Sequence, residues 1–340
     1  MSHLGPVAVA SVATTSMEGM TARVRPLAGP QAPAPETAAP ARSYAMVALV
    51  LGCLFVGSSS ALIKLSGASA GTAAFLRCAI AMVVFAPVLA IEWRRFGRPP
   101  GRMLTLSAGG GVLLGADYLM WTQSIVDIGA GIATVLIGVQ VVVFPLLAWV
   151  FQDERVTRRF LILLPLMFVG LALTGGVIDA DAAVPHPVRG ALLGVAAGVC
   201  YAAFLFLTRP ASALDRRMIF TPVGTTTLVA ALGIGVVAGL GGAAGGIDLA
   251  LSAKAWALLA TVAVLGQAVS FVLIGYGLVR IPAGRAAAVM LLQPLGAVAL
   301  GVVLVHERPT VTQWAGIVLT VVAVGLVTVT RRRRPDRRPA

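Results

Sequence analysis

Two stretches of 33 residues decide the fold of this chain: IVDIGAGIATVLIGVQVVVFPLLAWVFQDERVT at 125–157 and LVRIPAGRAAAVMLLQPLGAVALGVVLVHERPT at 278–310. They align without a gap at an offset of 153, and eleven positions are identical. Polar residues repeat together with the apolar ones, in four matched pairs: Gln140 with Gln293, Glu154 with Glu307, Arg155 with Arg308, and Thr157 with Thr310. The chain is therefore an internal duplication.

The composition places the chain in a lipid bilayer. Of its 340 residues, 58% are hydrophobic and 11% are charged, and the mean hydropathy is +0.94. A soluble fold needs more polar surface than this composition supplies. Apolar runs of about 20 residues, the length that crosses a bilayer as a helix, recur along the chain. The runs lie at 44–65, 70–91, 104–125, 129–151, 158–178, 187–208, 217–239, 255–279, 283–305 and 312–330. We therefore predict an all-α membrane protein with ten transmembrane helices.

The distribution of positive charge predicts the orientation of these spans. With the N terminus in the cytoplasm, 21 of the 26 Lys and Arg residues fall in cytoplasmic segments. By the positive-inside rule, we predict that both termini lie in the cytoplasm. We expect the protein to lie in the plasma membrane. The net charge of +13 thus reports topology and argues against nucleic acid as a partner.

The two ends of the chain differ from the apolar body. Residues 1–43 are rich in Pro, Ala, Ser and Thr, and we predict a disordered cytoplasmic tail there. The basic tail at 331–340 suits contact with anionic lipid headgroups. The three cysteines have no metal-like spacing, so no metal or cofactor is predicted.

Each copy of the duplication contains five predicted spans, at 44–178 and at 187–330. Because five is an odd number, the second copy begins on the opposite side of the membrane, and the two copies form inverted repeats. If each copy has two conformations, their exchange converts a cavity that opens outward into one that opens inward. This plan is typical of membrane carriers that work by alternating access.

Short motifs give the chain a resemblance to a known family, the EamA-type transporters of the drug/metabolite transporter (DMT) superfamily. The motifs are Gly57-Ser58-Ser59 and Ile63-Lys64 in the first span, Phe75-Leu76-Arg77 in the second, Gln293-Pro294 in the ninth, and Glu154-Arg155 with Glu307-Arg308 at the ends of the fourth and ninth. The resemblance covers about residues 44–330. It implies a carrier of amino acids, other metabolites or drugs, often outward and often coupled to a gradient.

Two charged residues lie deep in the predicted spans. Arg77 and Asp117 are both roughly 11–14 Å from the outer surface at 1.5 Å per helical residue. Their equal depth and opposite charge suggest an ion pair. Asp117 is then either a proton-coupling or substrate-amine site, or one half of a structural pair that fixes helix packing. The counterpart of Asp117 in the second copy is Ser270, so the symmetry is broken there.

Other polar residues have a functional and a structural interpretation. Gln140 and Gln293 either line a substrate path or bond between helices. Tyr118 and Gln267, together with the aromatic Trp121 and Phe271, could bound a pocket, but the aromatics, Trp121 especially, could equally belong to the interfacial belt of the membrane. Lys64 is a structural or gate residue, with substrate contact as the alternative. We expect Glu154 and Glu307, each followed by an arginine (Arg155 and Arg308), to bond to adjacent loop amides and fix helix ends. Pro294 is a hinge candidate.

These observations predict a secondary carrier that exports amino acids or similar small metabolites, with the proton as a candidate coupling ion. A channel or facilitator, and a multidrug or nucleotide-sugar-type carrier of the same fold, are the alternatives. An enzyme is disfavoured because no catalytic constellation is present in the sequence. The GxxxG spacing of Gly111 and Gly115 allows close helix packing, either inside one chain or in a homodimer.

Overall fold

The structure is a computed structural model that describes residues 39–152, 158–174, 185–240, 246–281, 289–290 and 292–328. Glu154 and Arg155, most of the predicted N-terminal tail and all of the basic C-terminal tail lie outside the described residues.

All secondary structure in the described part of the chain is helical. The helices are α1 (Ala39–Ser66), α2 (Ala70–Phe96), α3 (Gly101–Ile128), α4 (Ala130–Leu136), α5 (Gln140–Gln152), α6 (Arg158–Thr174), α7 (Pro187–Leu214), α8 (Phe220–Gly239), α9 (Ala253–Thr261), α10 (Ser270–Arg280), α11 (Leu292–Leu304) and α12 (Val311–Thr328). A 3₁₀ turn at Ile137–Val139 joins α4 to α5, and a π-helical segment at Val262–Val269 joins α9 to α10. Each of these joined pairs is one continuous apolar helix.

Seven helices in the described ranges are long and apolar enough to cross a membrane. Three shorter apolar helices, Pro165–Thr174, Leu292–Leu304 and Val311–Ala323, fall within the fifth, ninth and tenth predicted spans. Every predicted span therefore contains an apolar helix, and the protein is a multi-pass membrane protein. Ten complete crossings stay a prediction.

The helices pack in pairs that are preserved when the two copies are exchanged. The exchange matches α1 with α7, α2 with α8, α3 with the α9–α10 helix, α4–α5 with α11, and α6 with α12. The contact of α3 with α7 then corresponds to that of α10 with α1, and the contact of α1 with α11 to that of α7 with α5. The pairs α2–α8, α4–α11 and α6–α12 map onto themselves. This pattern is expected of a two-fold relation between the copies; their inversion in the membrane stays a prediction.

Small residues allow close contact between α3 and α8. A Cβ atom at Gly111 would lie 2.7 Å from the Thr226 backbone oxygen, and one at Gly115 would lie 3.4 Å from the Ala230 Cα. The GxxxG spacing is thus occupied by packing inside the chain. This contact favours the internal interpretation of the motif over the homodimer.

Candidate functional site

A small cavity among the helices is lined by several of the polar residues that lie inside the apolar spans. We call it the central cavity. Its walls come from α1, α2, α3, α4, the 3₁₀ turn, α7, α10 and α11, through Val56, Arg77, Asp117, Tyr118, Trp121, Thr134, Ile137, Tyr201, Phe271 and Gln293. The structure therefore brings four predicted site residues together, namely Arg77, Asp117, Tyr118 and Gln293.

Arg77 is held by hydrogen bonds and by aromatic faces. Its Nε donates to Gln267 Oε1 at 3.0 Å, and its Nη2 donates to the backbone oxygen of Gly266 at 2.8 Å. The guanidinium carbon lies 4.2 Å from the centroid of the Tyr118 ring and 5.3 Å from that of Trp121. Such cation–π contacts stabilise a charge that has left water.

Gln267 is the hub of this network. Its Oε1 also accepts a hydrogen bond from the Tyr118 hydroxyl, and its Nε2 donates to Thr227 Oγ1 at 3.1 Å. Gln267 is fully buried and lies in the π-helical segment. A backbone carbonyl has two lone pairs, so Gly266 can accept from Arg77 as well as from the Ser270 hydroxyl.

The expected ion pair between Arg77 and Asp117 is not formed. Among the described residues, neither the ion pairs nor the hydrogen bonds include one between these two side chains. The reason is that the π-helical segment presents the Gly266 carbonyl and the Gln267 side chain to the guanidinium instead. Asp117 is therefore a buried carboxyl group, 1% exposed, with no cation bonded to it in the part of the chain that the structure describes.

Four buried polar atoms without a partner belong to residues that line the central cavity. They are Arg77 Nη1, Asp117 Oδ1, Trp121 Nε1 and the Tyr201 hydroxyl oxygen, and none has a hydrogen-bond partner among the described residues. Leaving one such buried group unpaired costs about 1–3 kcal/mol. A cluster of them around one cavity marks a place where a polar ligand would restore the missing bonds.

Four predicted site residues lie outside the walls of the central cavity, namely Gln140, Ser270, Gln267 and Lys64. Gln140 is 4% exposed, and its Oε1 has no partner among the described residues, but it lines none of the cavities described here. Ser270 does not face Asp117: its hydroxyl donates to the Gly266 backbone oxygen at 2.7 Å, one turn earlier in its own helix. Gln267 does not line the central cavity, but it accepts a hydrogen bond from Arg77, which does.

Lys64 closes the end of a neighbouring helix. Its Nζ donates to the backbone oxygens of Ile125 at 3.1 Å and Val126 at 3.5 Å, in the last turn of α3. A cation at a helix C terminus stabilises carbonyls that lack helical partners. The side chain also lines a separate cavity between α1 and α3, the Lys64 cavity. This geometry favours the structural or gate role.

Glu307 bonds to amides in the other half of the chain, so the expectation of adjacent loop amides is wrong for this residue. Its carboxylate accepts hydrogen bonds from the backbone N–H groups of Ala130 and, at 2.9 Å, Gly131. These amides begin α4, and Gly129 precedes them with a φ of 95°, which favours glycine. Because no side chain crowds the turn, a carboxylate from a distant segment can cap the helix. Arg308 is exposed.

Glu92 has the same role and was not identified from the sequence. Its carboxylate is buried and accepts from Phe220 N at 3.1 Å, Thr221 N at 2.8 Å and Thr221 Oγ1 at 2.6 Å. It therefore caps the start of α8. The sequence could have indicated this residue, because Glu92 is the sole acidic residue within α2.

A second cavity lies beside the central one. We call it the Arg209 cavity; it is lined by Leu114, Phe204, Leu205, Thr208, Arg209, Ser212, Pro222, Val223, Thr226, Thr227, Gln267, Phe271, Ile274, Gly275, Leu278 and Val279. Arg209 and Ser212 belong to the last turns of α7, so the cavity extends to that end of the helices. Gln267 and Phe271 are among its lining residues, and Phe271 also lines the central cavity.

Apolar helices of spanning length around a buried polar cavity define an integral membrane protein built to carry a solute. The comparisons with known proteins specify the class. The model of the EamA-like transporter family matches residues 43–176 and 188–329, and the chain belongs to this family. It is thus a membrane transporter of the DMT superfamily, and the family indicates a non-enzymatic protein.

The other comparisons bear on the fold. A search of curated proteins gives no match. Among solved structures, a crystal structure described only as that of a protein is similar with a TM-score of 0.57 and 17% identity, covering 86% of this chain and 100% of that one. At this identity the likeness shows the fold alone.

Proposed function

We propose that this protein is a secondary carrier that exports small zwitterionic metabolites, amino acids foremost, across the plasma membrane by alternating access. The observation that carries the proposal is the set of four polar atoms that have no partner among the described residues and that belong to residues lining the central cavity. They comprise N–H donors, a carboxylate oxygen and a hydroxyl.

The donors and the acceptor match the two ends of an amino acid. A substrate carboxylate would accept hydrogen bonds from Arg77 Nη1 and Trp121 Nε1, and charge-assisted bonds of this kind are the strong ones. A substrate ammonium would donate to Asp117 Oδ1. The aromatic walls, Tyr118, Tyr201 and Phe271 among them, would contact the apolar part of the substrate.

The contacts on the two sides of the site support alternating access. On the predicted outer side, Lys64 is bonded to the end of α3, Glu307 to the start of α4, and Asp127 to Arg189 at 2.6 Å. On the predicted cytoplasmic side, the Arg209 cavity extends to Phe271 at the wall of the site. The Lys64 cavity on the outer side shares no lining residue with the central cavity, whereas the Arg209 cavity shares Phe271. This difference fits a state that loads its substrate from the cytoplasm, which is the direction of export.

Asp117 is the proposed coupling residue. A carboxylate with no fixed cationic partner can hold either a substrate ammonium or a proton, but not both. Competition between the two would link export to proton movement in the opposite direction. Gln267, Gly266 and the aromatic rings hold the Arg77 guanidinium in position in either case.

The test measures export with matched variants. Cells producing wild-type protein, Asp117→Asn, Asp215→Asn or no protein are compared by untargeted mass spectrometry of the medium, at equal membrane abundance. Asp215 is the matched control because it is an aspartate on the loop after α7, bonded to Arg217 at 3.0 Å and remote from the cavity. We expect amino acids or similar zwitterions to accumulate with wild type and Asp215→Asn only.

Two outcomes would contradict the proposal. Equal export by Asp117→Asn would show that this carboxylate has no part in transport. Flux that rises linearly with substrate concentration in proteoliposomes, without saturation, would indicate a channel in place of a carrier.

A further inference from the structure

The central cavity and the Arg209 cavity share one lining residue among the described residues, and that residue is Phe271. It is 5% exposed and follows directly after the first residue of α10. No lining residue of the Lys64 cavity belongs to the central cavity. One aromatic side chain thus forms the boundary on the side of the Arg209 cavity.

Phe271 packs with two aromatic residues of α7. Its ring centroid lies 5.9 Å from that of Phe204 and 6.4 Å from that of Tyr201, and the latter two are 5.5 Å apart. Phe204 lines the Arg209 cavity and Tyr201 lines the central cavity. The three rings therefore form a triangular cluster at the boundary, in which Phe204 lines one cavity, Tyr201 lines the other and Phe271 lines both.

The backbone next to Phe271 has an irregular form. The π-helical segment Val262–Val269 ends two residues before it, and such segments are frequent at functional sites. The same segment holds Gln267, which lines the Arg209 cavity and bonds to Arg77 in the central cavity. A change of this segment to α-helical bonding would turn Phe271 about the helix axis and move the partner of Arg77 at the same time.

We propose that Phe271 is a gate between the two cavities, closed here by its packing with Tyr201 and Phe204, and that it sets the size of the small amphipathic solute that can pass. The identity of that solute rests on the proposed function. The gate itself is tested without a substrate, so the two can fail separately.

The experiment measures access to the central cavity with a thiol reagent. In a background in which Cys53, Cys78 and Cys200 are replaced by alanine, one cysteine is introduced as Thr134→Cys in the central cavity or as Ser212→Cys in the Arg209 cavity. A charged, membrane-impermeant methanethiosulfonate is applied to sealed vesicles of either orientation. With Phe271 in place, we expect fast reaction at position 212 from one side and slow reaction at position 134.

Removal of the ring should open the boundary. Phe271→Ala should accelerate the reaction of Thr134→Cys about tenfold or more from the side that reaches position 212, because the closed state loses its contacts. The rate at Ser212→Cys should stay within about twofold, since that position lies outside the gate. Phe271→Trp should keep the reaction at position 134 slow.

A matched control separates gating from general loosening. Phe85 is 2% exposed, lines none of the three cavities, and packs with Ala81 of its own helix and with Ala263 and Ala268 of the π-helical segment. Phe85→Ala therefore removes an equal volume from the core beside that segment without removing a ring from the boundary. It should not accelerate the reaction at position 134. The gate is contradicted if Phe271→Ala leaves that reaction slow while position 212 reacts, if position 212 is unreactive from both sides, or if Phe85→Ala accelerates it equally.

Discussion

Glu92 and Glu307 differ from Asp117 in their hydrogen bonding, and this difference distinguishes structural carboxylates from a candidate functional one. Both glutamates lie at helix ends, and their oxygens accept hydrogen bonds from the first amides of another helix. Asp117 lies in the middle of α3, and within the described ranges one of its oxygens has no partner and no cation is bonded to it. The glutamates complete the fold of the protein. The aspartate is left ready for a ligand, at a cost that the rest of the fold must offset.

The largest expected effect on stability is at Glu92. Glu92→Ala would leave Phe220 N, Thr221 N and the Thr221 hydroxyl without their acceptor. We expect a loss of about 3 kcal/mol or more in the free energy of unfolding, since each buried orphan group costs about 1–3 kcal/mol. Thermal unfolding in detergent measures it. Asp117→Asn, in the same assay, should be as stable as wild type or more so; an unstable Asp117→Asn would remove the distinction between the two kinds of carboxylate.

A smaller stability effect is expected at Glu307, because its carboxylate accepts from two amides and is half-buried. Glu307→Gln keeps one acceptor oxygen, whereas Glu307→Ala removes both. We expect a loss of about 1 kcal/mol for Gln and about 2 kcal/mol for Ala. Saturable transport by the folded fraction should persist in both. If Glu307→Gln unfolds as readily as Glu307→Ala, hydrogen bonding to these amides is not what the residue contributes.

Gln267 has both a structural and a functional role, because its hydrogen bond to Arg77 fixes the position of a residue that lines the central cavity. Gln267→Leu removes the acceptor of Arg77 Nε and of the Tyr118 hydroxyl. We expect transport to fall about tenfold, because a guanidinium displaced by 1 Å loses much of its binding geometry. Substrate-concentration curves in proteoliposomes measure the effect. Gln267→Glu retains an acceptor and should transport better than Gln267→Leu; the reverse order would show that Arg77 does not depend on this bond.

The smallest effect is expected at the surface pair of Asp215 and Arg217. The hydrogen bonds from Arg217 lower the pKa of Asp215 below its ordinary value. A lowered pKa in the folded protein means that the pair stabilises the fold at neutral pH and that this contribution is lost as the pH falls through the folded-state pKa. Because the pair is exposed to solvent, Asp215→Asn should leave unfolding at pH 7 and transport unchanged. A clear shift in either would mean that this loop contributes more than the structure indicates.

The sequence was sufficient for the features that depend on local composition. Helical spans follow from the length of each apolar run, and Arg77 and Asp117 were identified because charges are rare inside such runs. The hydrogen-bond partners of buried polar residues could not be predicted from local composition. Arg77 bonds to Gln267, which is 190 residues away, and Glu307 bonds to Ala130, which is 177 residues away.

The π-helical segment explains the main error in the predicted site. Residues Val262–Val269 are apolar apart from Gln267, and nothing in their pattern distinguishes a π turn from an α-helix. The depth of Arg77 and Asp117 was therefore a reasonable basis for an ion pair, but depth alone does not give the rotation of a side chain about its helix. Tyr201 was missed for the same reason, since which face of α7 meets the cavity depends on tertiary packing.

The most direct test of the central claim is a counterflow assay that asks whether the cavity requires both charges of its substrate. Proteoliposomes are loaded with the amino acid identified in the medium, and uptake of its labelled form is challenged with the unlabelled amino acid, its N-acetyl derivative and its carboxamide. If Arg77 and Asp117 bind opposite ends of a zwitterion, the intact amino acid should compete and both derivatives should fail. Competition by either derivative at the same concentration as the amino acid would contradict the assignment of these two residues.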